Sequence, residues 1–234
     1  MLHRVRVICF DLDNTLWHVD PVIVRAEERL QAWLHERYPR IAERWTPAEL
    51  RAARFALVAD APERAHDFTW IRTESMARHA REVGYDESMA AEAFAAFFAW
   101  RNEVEPFPDV APALGALREH YALASLSNGN ADLERIGLAA HFRISLAAGS
   151  LGVAKPQPQA FTAVSDALGC APSEVLYVGD DPAVDVAGAR DAGLRTAWMN
   201  RFGRRWPAGL PPADLVATDC HELVRVLVPP AERP

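Results

Sequence analysis

The run "VICFDLDNTLW", residues 7–17, places two carboxylates, Asp11 and Asp13, directly after an apolar segment. Like charges at the mouth of a buried strand are opposed by both repulsion and desolvation. Three further motifs supply groups that offset them: Ser127-Asn128-Gly129, Lys155-Pro156, and Gly179-Asp180-Asp181 with Asp185. Gathered in one place, these put three or more carboxylates beside a fixed positive charge, Lys155. Clustered carboxylate oxygens suit a hard divalent cation, Mg²⁺. The Ser127 hydroxyl and the backbone N–H groups through Gly129 add hydrogen-bond donors. A metal, a lysine and oriented donors together match the oxygens of a phosphate. One carboxylate is then free to attack phosphorus, and a second can move the proton.

Such a gathering needs elements that bring distant residues to one edge. Strand-like apolar runs occur at 5–10, 121–126, 143–147, 174–179, 194–199 and 214–217. Helix-length stretches at 110–119, 131–139, 157–169 and 183–192 lie among them. Alternation of near-continuous apolar strands with helices predicts an α/β fold, a Rossmann-like parallel sheet covered on both faces. Ligands of such sheets sit at the carboxyl ends of the strands, where all four motifs fall. The interval 18–104 breaks the alternation and predicts an inserted all-α module of four helices. Its first helix carries Val22, Ala26, Leu30, Trp33 and Leu34 on one face. The second opens with Thr46, Pro47 and Glu49, a capping box with proline at the first position. The third covers 67–84, closed by Gly84, and the fourth 88–104. The sheet domain is therefore expected over 1–17 and 105–234, with linkers near 17–22 and 102–108 that permit opening and closing. The tail from residue 228 reads as frayed.

The set DxDxT, S-N-G, K-P and GDxxxxD, in this order and each at a strand end, resembles the haloacid dehalogenase-like hydrolase superfamily. The resemblance covers essentially the whole chain, and the helical insert is similar to that family's C1 cap. It implies that Asp11 is the nucleophile that becomes an aspartyl phosphate. Asp13 is then the acid/base that protonates the leaving alcohol and activates water. Mg²⁺ would be held by Asp11, the backbone carbonyl of Asp13 and Asp180. Asp185 would be a water-mediated ligand or a loop anchor, ranked above Asp181 on its spacing. Ser127, Asn128 and Gly129 would bind the transferring phosphoryl group, with Thr15 ordering the turn beside them. Lys155 would neutralise Asp11 and the phosphate.

Asp13 separates two chemistries of the family. True haloacid dehalogenases lack an aspartate there and need no metal, because a leaving halide takes no proton. The implied substrate is a small phosphorylated metabolite. The segments "DNTLWHVDPVIVRAEERLQAWLHERYP", "HDFTWIRTESMARHAREVGY" and "LSNGNADLERIGLAAHF" resemble bacterial flavin-related phosphatases. Those act on flavin mononucleotide and on 5-amino-6-(5-phospho-D-ribitylamino)uracil. A phosphonatase of this type needs a lysine in the cap, yet Lys155 is the only lysine of the chain.

Composition narrows the remaining classes. The formal net charge of −7 argues against nucleic acid as a partner. No apolar run approaches membrane-spanning length, and the start "MLHRVRVICF" is too short and charged for a signal peptide. Three separated cysteines read as thiols of a reducing compartment, so the expected location is the cytoplasm. The eight histidines show no zinc-protease spacing. Trp33, Phe97, Phe98 and Trp100 read as bundle core. Trp17 and His18 border the site, with packing and substrate contact both open. His66, Trp70 and Arg72 read as a solvated helix face with a packed Trp, with contact to the leaving group as the alternative. Arg201, Arg204 and Arg205 read as a solvated loop, with help to an anionic substrate as the alternative.

Overall fold

The computed structural model describes residues 2–228, so the proposed fraying beyond Val228 lies outside the described residues. The chain enters through β1 (Val7–Phe10) and leaves the sheet for α1 (Val19–Arg37), α2 (Pro39–Arg44), α3 (Pro47–Asp60), α4 (Phe68–Glu82) and α5 (Met89–Arg101). It returns through α6 (Val110–Arg118), β2 (Ala122–Ser127), α7 (Leu133–Ile136), β3 (Ile144–Ala147), α8 (Ala148–Leu151) and α9 (Pro158–Leu168). The last elements are β4 (Val175–Gly179), α10 (Gly188–Asp191), β5 (Arg195–Met199), β6 (Leu215–Ala217) and α11 (Cys220–Leu227).

All six strands are parallel, in the order β3-β2-β1-β4-β5-β6. Central β1 is buried along its whole length, which is why its sequence is apolar at every position rather than alternating. Val7 and Cys9 share one face with Ala124, Leu126, Val175, Tyr177 and Phe161. The two-residue period sends Ile8 and Phe10 to the other face. From β1 the chain goes on to β2 on one side and later to β4 on the other. That reversal opens a crevice at the carboxyl ends of β1 and β4.

By internal contacts the chain divides into two compact units, 1–18 with 105–129 and 133–234, and 19–104 with 130–132. His18 thus groups with the sheet, whereas the sequence pattern places it in the insert. Residues 130–132 group with the helices: Asn130 donates to Thr69 Oγ1 at 3.3 Å and accepts from Arg101 Nε at 3.2 Å.

The helical unit has its own core of Ala26, Leu30, Leu34, Ile41, Met76, Met89 and Phe97, with Trp33 and Trp100 packed against it. Five α-helices form there rather than four, because Pro39 cannot continue α1 and instead supplies the first residue of α2. The Thr46–Glu49 capping box is present at α3. Arg72 lies over the Phe97 ring and pairs with Glu27, so it is a packing residue rather than a solvated one.

Two expected helices of the sheet unit are shorter than predicted. The stretch 131–139 folds only as α7, because Gly137 takes φ 82°. The stretch 183–192 opens as a π-turn over Pro182–Ala187 before α10. Among the described residues no helix is long and apolar enough to cross a membrane.

A buried ion pair ties the two ends of the sheet unit together. Arg201, after β5, grips both oxygens of Asp109 at 3.1 and 2.8 Å, and the Cys220 N–H donates to Asp109 Oδ2 at 2.7 Å. Arg201 is therefore not a solvated loop residue. Burial works against the Asp109 charge, but these donors outweigh it and hold the carboxyl down to about 2. Because the folded value lies below the unfolded one, the stabilisation is complete above about pH 4 and is lost as pH falls through about 2. The shift corresponds to on the order of 2 kcal/mol. Urea unfolding should therefore show Asp109→Asn less stable than the parent at neutral pH, with the gap narrowing below about pH 4. A gap that stays constant with pH contradicts this account.

Candidate active site

The nucleophile candidate comes from the end of β1, where the Asp11 N–H still donates to Val178 O at 2.8 Å. The chain then turns sharply. Asn14 takes φ 62°, a left-handed conformation that Asn tolerates, and its N–H donates to Trp17 O at 2.7 Å. This turn folds Thr15 back so that its hydroxyl donates to Asp11 Oδ2 at 3.2 Å. It also brings the Trp17 indole N–H onto Asp13 Oδ1 at 2.7 Å. Trp17 is fully buried, which assigns it to holding Asp13. His18 instead packs on Phe202.

Lys155 is the hub. Its Nζ donates to Asp11 Oδ1 at 2.6 Å, to Asp185 Oδ1 at 2.8 Å and to the Tyr177 hydroxyl at 2.8 Å. An ammonium has three N–H bonds, and all three have protein acceptors here. Lys155 thus acts as a fixed charge on Asp11 rather than as a direct donor to a ligand. Burial opposes its charge, but Asp11 and Asp185 outweigh that and hold it above the ordinary lysine value. Asn128 sets the height of Lys155: its side chain accepts from Lys155 N at 2.8 Å and donates to Lys155 O at 2.9 Å. The Asn128 side-chain amide is thus committed to the lysine backbone. Ser127 Oγ accepts from Gly129 N at 3.0 Å, which orders the donor turn after β2.

The end of β4 completes the corner. Asp11, Asp180 and Asp185 each offer an oxygen within 4.8 Å of the others. Asp180 also meets Arg204 Nη1 at 3.3 Å. Asp185 is folded back by the π-turn, and its Oδ2 accepts from Asp181 N at 3.0 Å. Asp181 turns away and caps the same turn, accepting from Ala183 N and Val184 N at 2.8 Å. Burial pushes the Asp11 carboxyl up, against the pull of Lys155. Asp180 is pushed up to about 6 by burial and then by Asp185, with Arg204 pulling the other way. Three carboxylates against one buried ammonium leave a negative surplus in a dry place. An all-oxygen donor set with that surplus fits a hard divalent cation such as Mg²⁺.

The structure thus gathers Asp11, Thr15, Lys155, Asp180 and Asp185, and links Asn128 to them through Lys155. The Asp13 side chain is not among the three clustered carboxylates; it belongs to Trp17. Sequence reading missed Tyr177 as part of the site. Tyr177 donates onward to Leu126 O at 3.0 Å, so its hydroxyl joins Lys155 to β2. Its position inside an apolar strand was the available signal, since a buried phenol needs polar partners.

The family model for haloacid dehalogenase-like hydrolases matches residues 5–193. The Escherichia coli 5-amino-6-(5-phospho-D-ribitylamino)uracil phosphatase YigB is 31% identical over 202 residues, covering 85% of this chain and 84% of that protein. A Thermus thermophilus phosphoserine phosphatase is 41% identical over 126 residues, about half of each chain (51%). Among solved structures, one described as a 2-haloacid dehalogenase from Pseudomonas syringae superposes with a TM-score of 0.90 at 35% identity. It covers 95% of this chain and 98% of its own. Phosphatases and dehalogenases therefore both stand among the similar proteins.

Gly179 gives a direct test of how tightly the corner is built. A Cβ there would lie 2.4 Å from Asp185 Cγ, so any side chain must displace that carboxylate. Gly115 in α6 has open space around the same position. Gly179→Ala should cost roughly 1–3 kcal/mol in denaturant unfolding, whereas Gly115→Ala should be neutral or stabilising. Equal effects of the two substitutions would contradict the packing described.

Proposed function

This chain belongs to the haloacid dehalogenase-like hydrolase family, and we propose that it hydrolyses the phosphate ester of a small metabolite through Asp11. One observation carries the choice of phosphate over halide. Asp13, two residues beyond the nucleophile, is held by the Trp17 indole N–H on a turn fixed by Asn14. A departing alkoxide needs a proton and a departing halide does not, so an oriented second carboxylate serves ester cleavage.

In this reading an Asp11 oxygen attacks phosphorus while the ester P–O bond breaks. Asp13 gives its proton to the departing oxygen. Water then attacks the phosphorus of the aspartyl phosphate, Asp13 takes the proton from that water, and Asp11 is released with inorganic phosphate. Lys155 offsets the charge of Asp11 throughout, and the Thr15 hydroxyl fixes the other carboxylate oxygen. The Ser127 hydroxyl and the Asn128 backbone N–H receive the phosphoryl oxygens, on a turn ordered by the Gly129 N–H donating to Ser127 Oγ. Asp11, Asp180 and the Asp13 carbonyl, with Asp185 beside them, would hold Mg²⁺, which would supply charge neutralisation at the phosphate. Asp185, gripped by Lys155 and by the Asp181 N–H, serves chiefly as the anchor of that corner.

The preferred substrates are flavin mononucleotide or 5-amino-6-(5-phospho-D-ribitylamino)uracil, supported by the likeness to YigB along most of the chain. A sugar phosphate, phosphoglycolate or a nucleotide is the alternative within the same chemistry. Dehalogenation is the second reading, favoured by the closely superposing Pseudomonas structure.

Purified protein should turn over p-nitrophenyl phosphate with Mg²⁺ and lose that activity with chelator. Asp11→Asn should retain less than about a thousandth of kcat. In a panel of phosphorylated metabolites ranked by kcat/KM, the two flavin-related compounds should lead. Ranking level with sugar phosphates would remove the flavin assignment. Halide release from 2-chloropropionate without phosphatase activity would replace the whole reading.

A further inference from the structure

The turn that carries Asp11, Asp13 and Thr15 is held by the rest of the sheet unit at two of its carbonyls. Phe107 N donates to Leu16 O at 2.9 Å. Arg201 Nε donates to Thr15 O at 2.7 Å, from 186 residues further along the chain. Arg201 is itself immobilised. Its two terminal nitrogens hold Asp109, its side chain is 7% exposed, and its guanidinium lies 4.2 Å from the centre of the Phe107 ring. Asp109 in turn is fixed by the Cys220 N–H at the start of α11. A planar guanidinium with fixed forks transmits this rigidity in a way that a flexible ammonium does not.

Thr15 is where the rigidity matters. The residue whose carbonyl Arg201 holds is the residue whose hydroxyl sits on Asp11 Oδ2. From these contacts we infer that Arg201 is a positioning residue for the nucleophile, aiming Asp11 by pinning Thr15. Arg201 touches none of the reacting groups. It fixes the Thr15 peptide, and through it one of the two Asp11 oxygens, while Lys155 fixes the other. The attacking carboxylate is thereby held from both sides, and near-attack geometry of this kind is lost when its support loosens by about an ångström.

The inference rests on the phosphatase reading for what the position serves, and two readouts keep the two apart. In Arg201→Ala, kcat for p-nitrophenyl phosphate should fall about 10- to 100-fold at a temperature where the variant is folded, with KM within about 3-fold. Arg201→Lys, which keeps one donor, should lie between. Asp109→Asn leaves Arg201 in place as a donor to Thr15, so its kcat should fall less than that of Arg201→Ala even though it also loses stability. Hydrogen exchange at the amides of Asn14 to Trp17 should speed up at least about 10-fold in Arg201→Ala. A folded Arg201→Ala with kcat within about 3-fold of the parent and unchanged exchange overturns the inference. So does a kcat that tracks melting temperature alike in the Arg201 and Asp109 variants. If the parent protein fails to cleave the ester at all, the phosphatase reading falls, and the exchange experiment still decides whether Arg201 pins the turn.

Discussion

The structure depends on one buried ammonium. Lys155 is the only lysine in the chain and is almost wholly removed from water, between Asp11 and Asp185. Burying three such charges is unfavourable unless every lone pair and proton finds a partner. The surroundings meet that condition atom by atom. Tyr177 takes the third ammonium proton, Asn128 clamps the lysine backbone from both sides, and Thr15 and Asp181 N–H satisfy the carboxylate oxygens that Lys155 leaves. Two backbone features follow from the same demand. Gly179 has no side chain because Asp185 occupies the space, and the turn after β4 opens as a π-turn that folds Asp185 back. The negative surplus that remains is of the kind that a hard divalent cation would offset.

How much of this was legible in the sequence varies with the range of the interaction. The parallel sheet was readable because the strands are short and apolar and helical spacing lies between most of them. Three of the motifs were readable because each sits at the end of a strand, and parallel strands bring their carboxyl ends together; Lys155-Pro156 instead lies in the turn between α8 and α9. Local turn chemistry was half readable: Asn14 is a residue that accepts a left-handed conformation, but nothing in the pattern told which side chain Trp17 would meet. Long-range pairing was not readable. Arg201 looked like one arginine of an exposed basic loop, and only the fold shows it facing Asp109 and Thr15. Arg204 from the same loop reaches Asp180 instead. Nor was it readable that the Asn128 side-chain amide would hold the Lys155 backbone.

The similar proteins include both ester hydrolases and dehalogenases, so likeness to them cannot by itself choose between the chemistries. What differs in its demands is the leaving group. The turn in this chain commits a fully buried tryptophan to the orientation of Asp13, a group that halide departure does not need. The same turn is pinned by Arg201. Both ends of the motif are therefore organised around two carboxylates rather than one, and that organisation is the structural basis for preferring phosphoryl transfer.

The central claim is that Asp11 itself becomes phosphorylated. Asp13→Asn should slow breakdown of the aspartyl phosphate, because the water that attacks it loses its base. Acid quench of this variant after mixing with substrate and Mg²⁺, followed by peptide mass spectrometry, should locate one added phosphoryl group on Asp11. A phosphorylated residue elsewhere, or steady ester cleavage in Asp13→Asn with no phosphoryl group on Asp11, would contradict the account.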